Sequence, residues 1–406
     1  MKNSLIFNPN HKHQKNKKIY FFGSGDIASK TLRDIKKTTK VLGTFDNKKS
    51  LQGIITRDNL EIFNPKLIKK INISKIHIII TTSSYDQVIK QLKTYKLKQG
   101  THYTISHRLE GQNILDTIQN HKCSLSFASA TFKQNKKDAG GGIYNLYLNG
   151  TKWKVEKKLS GPCYCIIRVK NNYIISMAEK GILICDLKFN ILKQKKIDKS
   201  IRFHGISYSK KFESYFVTCT NRDKIIMFDK DLNSIKKEFY LSNKSNSEDI
   251  SHYHCNDCFV RGNFLFVSVF SVSGKYKSDT FDGGIIKFDI RTGKKISVIK
   301  NNLLMPHNIV YLNNQMHVID SLRGNLLYDN FSNKATFLGF SRGIDYHNGY
   351  YFIGQSRNRQ ASKIKSVNNN VSADTGIMIF DKKNKISRFL NVNNKISEIH
   401  SILVHK

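Results

Sequence analysis

Six segments of the chain repeat one pattern, in which an apolar strand is usually followed by an aspartate, a short turn and a lysine-rich strand. They are residues 142–147, 181–186, 224–229, 284–289, 325–329 and 376–381. A further pair of apolar strands precedes these segments, for example 172–177 and 263–269. Four short strands in a repeat of about forty residues are typical of one propeller blade.

The two ends of the repeat region indicate how many blades there are. After the fifth complete unit only residues 398–406 remain, enough for one strand, whereas 124–131, 141–148 and 152–159 supply three strands at the front. Joining these ends completes one more blade and hides sheet edges that would otherwise pair with other chains. The pattern therefore predicts an all-β six-bladed propeller over 123–406, closed by the C-terminal strand.

The preceding residues, 19–122, alternate short apolar runs with helical patterns. Residues 19–22, 41–45 and 76–81 are predicted strands, and a helix is predicted after Ala28 and again at 85–95. Alternating strands and helices favour a parallel sheet with crossovers, here an α/β Rossmann-like domain. Residues 1–18 are polar and lysine-rich and are predicted to be a flexible basic tail.

A glycine-rich turn joins the first predicted strand and helix of this domain. Gly23, Gly25 and Ala28 form a G-x-G-x-x-A pattern, which lets a phosphate approach the backbone at a helix N-terminus, and Asp46 is placed as a ribose-binding carboxylate would be. These residues predict a site for a nucleotide or sugar nucleotide. The alternative is a Rossmann-like domain that binds no nucleotide, because its length suits only one mononucleotide-binding half and Asp26 brings a negative charge into the turn.

Residues 19–28, 41–47, 78–85 and 100–106 resemble the small Rossmann-like domain attached to many bacterial proteins of surface-polysaccharide and sugar-nucleotide biosynthesis. The resemblance covers about a quarter of the chain. It implies a role in making or modifying surface carbohydrate.

The innermost strand of each predicted blade begins at one face of the propeller, where six side chains are expected to surround the axis. Aligning these strands by their apolar residues predicts an axial ring of Cys163, His204, Asn256, His307, Arg342 and His400. Three converging imidazoles are suited to a divalent metal such as zinc, iron or manganese. Arg342 is suited to holding a carboxylate or phosphate. Ligand binding without chemistry and a merely solvated channel are the alternatives.

Other polar residues lie near this predicted ring. Asp257 and Asp345 follow it on inner strands, and either is a candidate general base or a partner that orients a histidine. Long loops at 132–141, 271–282 and 355–375 are predicted to lie on the same face, the last bringing Arg357, Arg359, Lys363 and Lys365. Such loops favour an anionic ligand on the loop-rich face.

Residues 123–406 resemble a bacterial propeller family known only as a domain of unknown function. The matching motifs are Met305-Pro306-His307, Val318–Ser321 with Gly324, Ser341-Arg342-Gly343, Phe352–Gly354 with Ser356-Arg357, and Gly376–Asp381 with Glu398. The resemblance implies the propeller and no particular reaction.

Composition limits the function classes further. The 68 basic and 30 acidic side chains give a net charge of +38, but the excess is spread along the chain and no nucleic-acid-binding motif accompanies it. No apolar run is long enough to span a membrane, and the odd number of scattered cysteines, seven, does not suggest a disulfide framework, so we expect a cytoplasmic protein.

Three hypotheses follow. The first is a protein of surface-carbohydrate metabolism that binds a sugar nucleotide or another anionic small molecule. The second is a metal-dependent lyase, lactonase or cyclase that uses His204, His307 and His400. The third is a non-catalytic platform for a protein partner.

Overall fold

The structure, a computed structural model, describes residues 6–8, 17–35, 39–130, 140–178, 180–196, 198, 201–242, 251–357, 370–392 and 395–405. The chain divides into two compact units, Met1–Thr117 and Ile118–Lys406. In the described residues, no helix is both long enough and apolar enough to cross a membrane. All seven cysteines are free thiols.

The first unit is built on a five-stranded parallel sheet. Its strands are β1 (Lys18–Phe22), β2 (Val41–Phe45), β3 (Ile62–Phe63), β4 (Ile76–Ile80) and β5 (Tyr103–Ile105), in the order β3-β2-β1-β4-β5. The helices are α1 (Asp26–Asp34), α2 (Tyr85–Thr94) and α3 (Glu110–Gln119), the last reaching the unit boundary. Every residue of β4 is buried, as expected for a central strand covered on both faces.

The parallel sheet and the positions of its first elements agree with the sequence prediction. Its order reverses between β1 and β4, as in doubly wound folds that bind ligands at this point. Assignment to the Rossmann folds stays a prediction.

Part of the predicted flexible tail packs onto this unit. Ile6 forms a parallel bridge with Ile105, and the Phe7 side chain is buried in the same core as β1. The prediction of a flexible tail is therefore wrong for residues 6–8, because their apolar side chains continue the sheet edge. Residues 1–5 and 9–16 lie outside the described residues.

The described residues of the second unit form six four-stranded antiparallel sheets, which confirms the predicted six-bladed propeller. From the innermost strand outward, blade 1 is Cys163–Val169, Asn172–Met177, Gly181–Cys185 and Ile191–Lys195, and blade 2 is Phe203–Ser209, Ser214–Cys219, Lys224–Asp229 and Ile235–Tyr240. Blade 3 is Cys255–Arg261, Phe264–Val269, Gly283–Asp289 and Lys295–Leu303, and blade 4 is Pro306–Leu312, Gln315–Asp320, Asn325–Tyr328 and Ser332–Thr336. Blade 5 is Phe340–His347, Tyr350–Ser356, Gly376–Asp381 and Ile386–Asn391, and blade 6 is Ser401–Val404, Lys122–Ser129, Gly142–Asn149 and Lys152–Ser160. Short 3₁₀ helices outside the α-helices are Lys49–Leu51, Pro65–Lys70, Ile73–Lys75, His107–Leu109, Thr220–Arg222 and Tyr276–Ser278.

The C-terminal strand closes the ring, as predicted. Ser401–Val404 pairs antiparallel with Lys122–Ser129 and forms the innermost strand of blade 6. Ile402 and Val404 pack into a core shared with blade 5, which includes Phe352 and Ile377. The two ends of the propeller sequence are thus joined by both ladder hydrogen bonds and apolar packing.

The aspartates that end most third strands form turns, also as predicted. Asp186 and Asp229 each accept backbone N–H groups from the following residues, and Asp289 and Asp381 do the same. A carboxylate that caps a turn in this way needs no further role.

A belt of hydrogen bonds ties each inner region of the propeller to the next blade. Most run from a side chain of one blade to the backbone of its neighbour. The pairs, going round the ring from blade 1, are Ser176 with His204 O, Thr218 with Asn256 O, Asp257 with Asn308 N–H, Asn308 with Gly343 N–H, Asp345 with Val404 N–H, and Ser401 with Ile166. The belt satisfies backbone groups that the blades leave unpaired beside the axis.

The closing strand should contribute strongly to stability. We expect Ile402→Ala, which removes a buried side chain from the closure, to lower the free energy of unfolding by about 2–5 kcal/mol. Ile191→Ala, in the exposed outer strand of blade 1, should change it by about 0.5 kcal/mol or less. Urea unfolding followed by the fluorescence of Trp153, the only tryptophan and part of blade 6, measures both. Equal effects of the two substitutions would contradict a closure-dependent propeller.

Candidate functional site

Bulges at the start of the inner strands turn polar side chains toward the axis. The pairing of the inner with the second strand shifts register beside His204, Asn256, His307 and Arg342, and also in blade 1. Such bulges re-aim side chains and occur often next to sites. In blade 2 the Thr218 hydroxyl accepts the N–H of Gly205 (2.8 Å), so the irregular ladder keeps its hydrogen bonding.

These side chains line a cavity of about 420 Å³ at one end of the propeller axis. All six blades contribute to it. The lining residues are Tyr164, Arg202, His204, Thr220, His254, Asn256, Phe270, Tyr276, Met305, His307, Phe340, Arg342, Glu398 and His400. Five of the six predicted ring residues are among them.

Cys163 is the ring residue that the structure places elsewhere. Its side chain is buried in the core of blade 1 with Ile143 and Met177, and Tyr164 lines the cavity instead. Because successive side chains of a strand point to opposite faces, a one-residue error in alignment moves a residue from the axis into the core. The predicted position of Cys163 in the axial ring is therefore wrong, and Tyr164 takes its place there. Ligand binding by Cys163 stays a prediction.

The three histidines of the ring meet at the cavity, as the alignment of the inner strands with one another predicted. Their ring centres are 5.2 Å apart for His204 and His400, 6.2 Å for His204 and His307, and 6.5 Å for His307 and His400. Nδ1 of His307 lies 2.9 Å from the Met305 carbonyl oxygen, a contact in which the imidazole N–H donates. This assignment leaves Nε2 of His307 as an acceptor.

Arg342, His400 and Glu398 form a buried charged cluster in the cavity wall. Nε2 of His400 lies 2.9 Å from the Glu398 carboxylate, and Nη1 of Arg342 lies 2.7 and 3.2 Å from Nε2 and Nδ1 of His400. The shorter contact of Arg342 is thus with the same nitrogen that faces Glu398, and the three side chains lie in direct contact. The guanidinium also lies over the Phe340 ring, 4.6 Å from its centre.

Burial keeps two of the imidazoles neutral. Burial is the main reason why the pKa values of His204 and His307 lie well below the usual value for histidine. Nearby positive charge, including that of Arg342, adds to the effect. The cavity therefore combines neutral hydrogen-bonding imidazoles with the charges of Arg202, Arg342 and Glu398.

The predicted metal site has no further support in this geometry. Among the described residues, no group of three His, Cys, Asp or Glu side chains is arranged to hold a metal ion. The Arg342 guanidinium lies against both nitrogens of His400, where its positive charge would oppose a divalent cation. Metal binding by His204, His307 and His400 stays a prediction.

Asp257 and Asp345 line a second cavity of about 270 Å³ instead of the first. Each carboxylate accepts a backbone N–H from the next blade, that of Asn308 for Asp257 and that of Val404 for Asp345, both at 2.8 Å. These bonds tie adjacent inner strands together. A general-base role for either residue stays a prediction.

The long loops are described in part. Tyr276 of the 271–282 loop lines the first cavity, and Val371 of the 355–375 loop packs near Met305 and Phe340, so both loops lie on the predicted face. Arg357 is exposed and is not among the residues that line the cavity. Arg359, Lys363, Lys365 and residues 131–139 lie outside the described residues.

Sequence reasoning missed other residues that line the cavity. Arg202, His254, Met305, Phe340 and Glu398 each lie two positions before a ring residue and line the same cavity. Side chains two apart on an extended strand share a face, so the period-2 rule applied backward from the ring would have found them. Thr220, Phe270 and Tyr276 come from other segments and carried no such signal.

The glycine-rich turn of the first unit packs against segments that follow two neighbouring strands of the sheet. A Cβ on Gly23, whose φ is 110°, would lie 2.9 Å from Cβ of Thr82, so the turn needs glycine for packing. Asp46 accepts the N–H and hydroxyl of Ser24 at 3.2 and 2.9 Å. Gly25 precedes α1 and Ala28 is buried within it. Nucleotide binding by Gly23, Gly25, Ala28 and Asp46 stays a prediction.

Comparison with known protein families identifies the propeller. The model described as "Domain of unknown function (DUF4915)" matches residues 163–405, more than half of the chain. The chain belongs to the DUF4915 family. The match runs from the inner strand of blade 1 to the closing strand.

Several solved structures are similar to the DUF4915 protein at low sequence identity. A protein of unknown function from Bacteroides caccae is 13% identical with a TM-score of 0.48, covering 70% of this chain and 99% of its own. A nidogen/laminin complex is 11% identical with a TM-score of 0.47, covering 70% and 98%. A putative gluconolactonase is 9% identical with a TM-score of 0.41, covering 58% and 79%. No curated protein matches significantly.

Asp257 should make the stability of the DUF4915 propeller depend on pH. Burial raises the pKa of this carboxyl from 3.8 to about 6. The folded state then binds the proton more tightly than the unfolded chain does. The protonated carboxyl therefore contributes its full stabilisation of the fold below about pH 4, and this contribution is lost as the pH rises through about 6. The shift corresponds to roughly 3 kcal/mol.

Asp257→Asn keeps an oxygen that accepts the Asn308 N–H and removes the charge. We therefore expect it to unfold at higher urea concentration than the wild type at about pH 8, with the difference shrinking toward about pH 4. Asp231→Asn, at an exposed turn position, is the control. A constant difference across this pH range would show that Asp257 does not bind its proton in this way.

Proposed function

We propose that the DUF4915 propeller binds a small anionic molecule in the axial cavity and that Arg342 holds the anionic group. The observation that carries the proposal is the position of Arg342, which is only 4% exposed yet lines the cavity. Burying a guanidinium opposes folding unless its charge is compensated. A rigid fork of N–H donors at such a position suits a carboxylate or phosphate.

The charges around the cavity support an anion. Arg202 is exposed at the mouth and adds a second positive charge, whereas Glu398 is the one acidic side chain among the described lining residues. Glu398 accepts a hydrogen bond from His400 and forms an ion pair with Arg342 at 3.6 Å. The neutral imidazoles of His204 and His307 add hydrogen-bonding atoms without adding charge.

The wider part of the proposal is a role in surface-carbohydrate metabolism, with a sugar nucleotide as one candidate ligand. It rests on the resemblance of the first unit to domains of polysaccharide biosynthesis proteins and on the doubly wound strand order of its sheet. A cavity of about 420 Å³ is near the lower end of the usual range for ligand sites, which favours a ligand of one sugar's size over a polymer.

Thermal shift followed by calorimetric titration tests the anion proposal. The probes are inorganic phosphate and a panel of small carboxylates. We expect at least one anion at millimolar concentration to raise the Tm by several degrees, because a ligand that binds only the folded state stabilises it. Arg342→Gln combined with Glu398→Gln removes both charges together and should abolish this shift.

The control is Arg291→Gln, in a turn of blade 3 away from the cavity, which should keep the full shift. Affinity should fall about 10- to 100-fold in Arg342→Lys, which keeps the charge and loses the fork. A shift that persists without Arg342, or no shift with any anion, would overturn the proposal.

A metal-dependent enzyme is the second candidate, favoured by the three imidazoles that meet at the cavity. Elemental analysis of protein purified without a histidine tag tests it. Because Arg342 occupies the region beside His400, we expect far less than one zinc, iron or manganese ion per chain. About one equivalent of metal, lost in a His204→Ala, His307→Ala double variant, would instead establish a metal centre and move this candidate to first place.

A further inference from the structure

Two buried polar atoms of blade 2 lack hydrogen-bond partners among the described residues. They are Nδ1 of His204 and the hydroxyl oxygen of Thr220, on side chains 5% and 2% exposed. Leaving a buried polar group unpaired opposes folding, and most such groups in proteins are satisfied. Both residues line the axial cavity.

Neighbouring polar groups of the same cavity wall, in contrast, do have hydrogen-bond partners. The hydroxyl of Thr218, two residues from Thr220, donates to the Asn256 carbonyl and accepts from Gly205. Nδ1 of His307 contacts both the Met305 carbonyl and the Ser321 hydroxyl. The two blade 2 atoms without described partners therefore lie beside groups that are paired, which points to a ligand group there.

His204 and Thr220 leave blade 2 at the same end. Phe203 pairs with Cys219, and the Thr220 N–H donates to the Arg202 carbonyl at 3.0 Å, which places the two residues on adjoining strand ends. One ligand group can therefore approach both of them. A hydroxyl suits this pair, since it donates and accepts at once, as the bridge between an imidazole nitrogen and a threonine hydroxyl requires.

Blade 2 lies opposite blade 5 in the six-membered ring, so Arg342 faces His204 and Thr220 across the axis. A ligand whose anionic group reaches Arg342 then directs its remaining atoms toward blade 2. Tyr164, whose ring centre is 4.7 Å from that of His204, and Phe340 beneath Arg342 provide flat apolar walls between them.

We propose that the ligand is a small polyhydroxy carboxylate, a sugar acid, with its carboxylate at Arg342 and a hydroxyl bridging His204 and Thr220. This inference rests on the proposed anion site and names the ligand class that the site takes. A phosphate bound at Arg342 without hydroxyl groups would leave the two blade 2 atoms unpaired.

Three probes with similar carbon skeletons test the carboxylate contact and the hydroxyl contact separately. D-gluconate carries both a carboxylate and hydroxyls, hexanoate carries only the carboxylate, and sorbitol carries only hydroxyls. By calorimetric titration we expect the wild type to bind gluconate at least about tenfold more tightly than hexanoate or sorbitol.

Thr220→Val removes the unpaired hydroxyl and keeps the side-chain shape. We expect it to weaken gluconate binding about tenfold, to leave hexanoate binding unchanged, and to leave the Tm of the ligand-free protein equal or higher. Thr375→Val is the matched control, because the Thr375 hydroxyl is also buried without a described partner but does not line the cavity. It should not change gluconate affinity.

The outcomes separate this inference from the proposed function. If phosphate or hexanoate binds in an Arg342-dependent way as tightly as gluconate, or if Thr220→Val binds gluconate normally, the sugar-acid inference is overturned and the anion site stands. If neither phosphate nor any carboxylate binds, both are overturned. Tight binding of sorbitol alone would also overturn both, since no anionic group would then be recognised.

Discussion

The antiparallel pairing of Ser401–Val404 with Lys122–Ser129 is the interaction on which the rest of the propeller depends. It joins residues from the two ends of the propeller sequence and brings the inner strand of blade 6 against its neighbours in blades 1 and 5. It also sets the position of His400 and Glu398, which directly precede the strand. The axial cavity is complete only when this strand is in place, so stability and the candidate site share one constraint.

The inner strands do not form regular ladders where they reach the axis. Bulges turn His204, Asn256, His307 and Arg342 toward the cavity, and hydroxyl groups of the second strands, such as that of Thr218, accept the backbone N–H groups that the bulges leave unpaired. A belt of bonds between blades then holds these irregular segments in place. The propeller thereby supports a polar centre inside an otherwise apolar set of sheets.

Charge is distributed unevenly along the axis. The first cavity holds Arg342 with neutral imidazoles, whereas the carboxylates of Asp257 and Asp345 line the second cavity and accept N–H groups from the next blade. Positive charge is thus available to a ligand at one end, and the acidic groups act within the protein further along. The proposed anion site at the loop-covered face rests on this arrangement.

Periodicity in the sequence was sufficient to predict the propeller and to place several of the residues that line its axial cavity. The repeated strand pattern predicted six blades and the closing strand, and the alignment of inner strands placed His204, Asn256, His307, Arg342 and His400 at the axis. Alignment failed at Cys163, because apolar residues on both sides of Tyr164 allow either register and only the packing around Met177 selects one.

Other features were decided by the tertiary structure alone. Local sequence cannot show that Arg342 and Glu398 both reach His400, that Asp257 bonds to the next blade, or that Asp46 is engaged by Ser24. Nor can it show that Nδ1 of His204 and the hydroxyl of Thr220 find no partner among the described residues. The physical reason is that strand patterns depend on neighbours in the chain, whereas charge pairing and hydrogen-bond satisfaction depend on which blades the closed ring brings together.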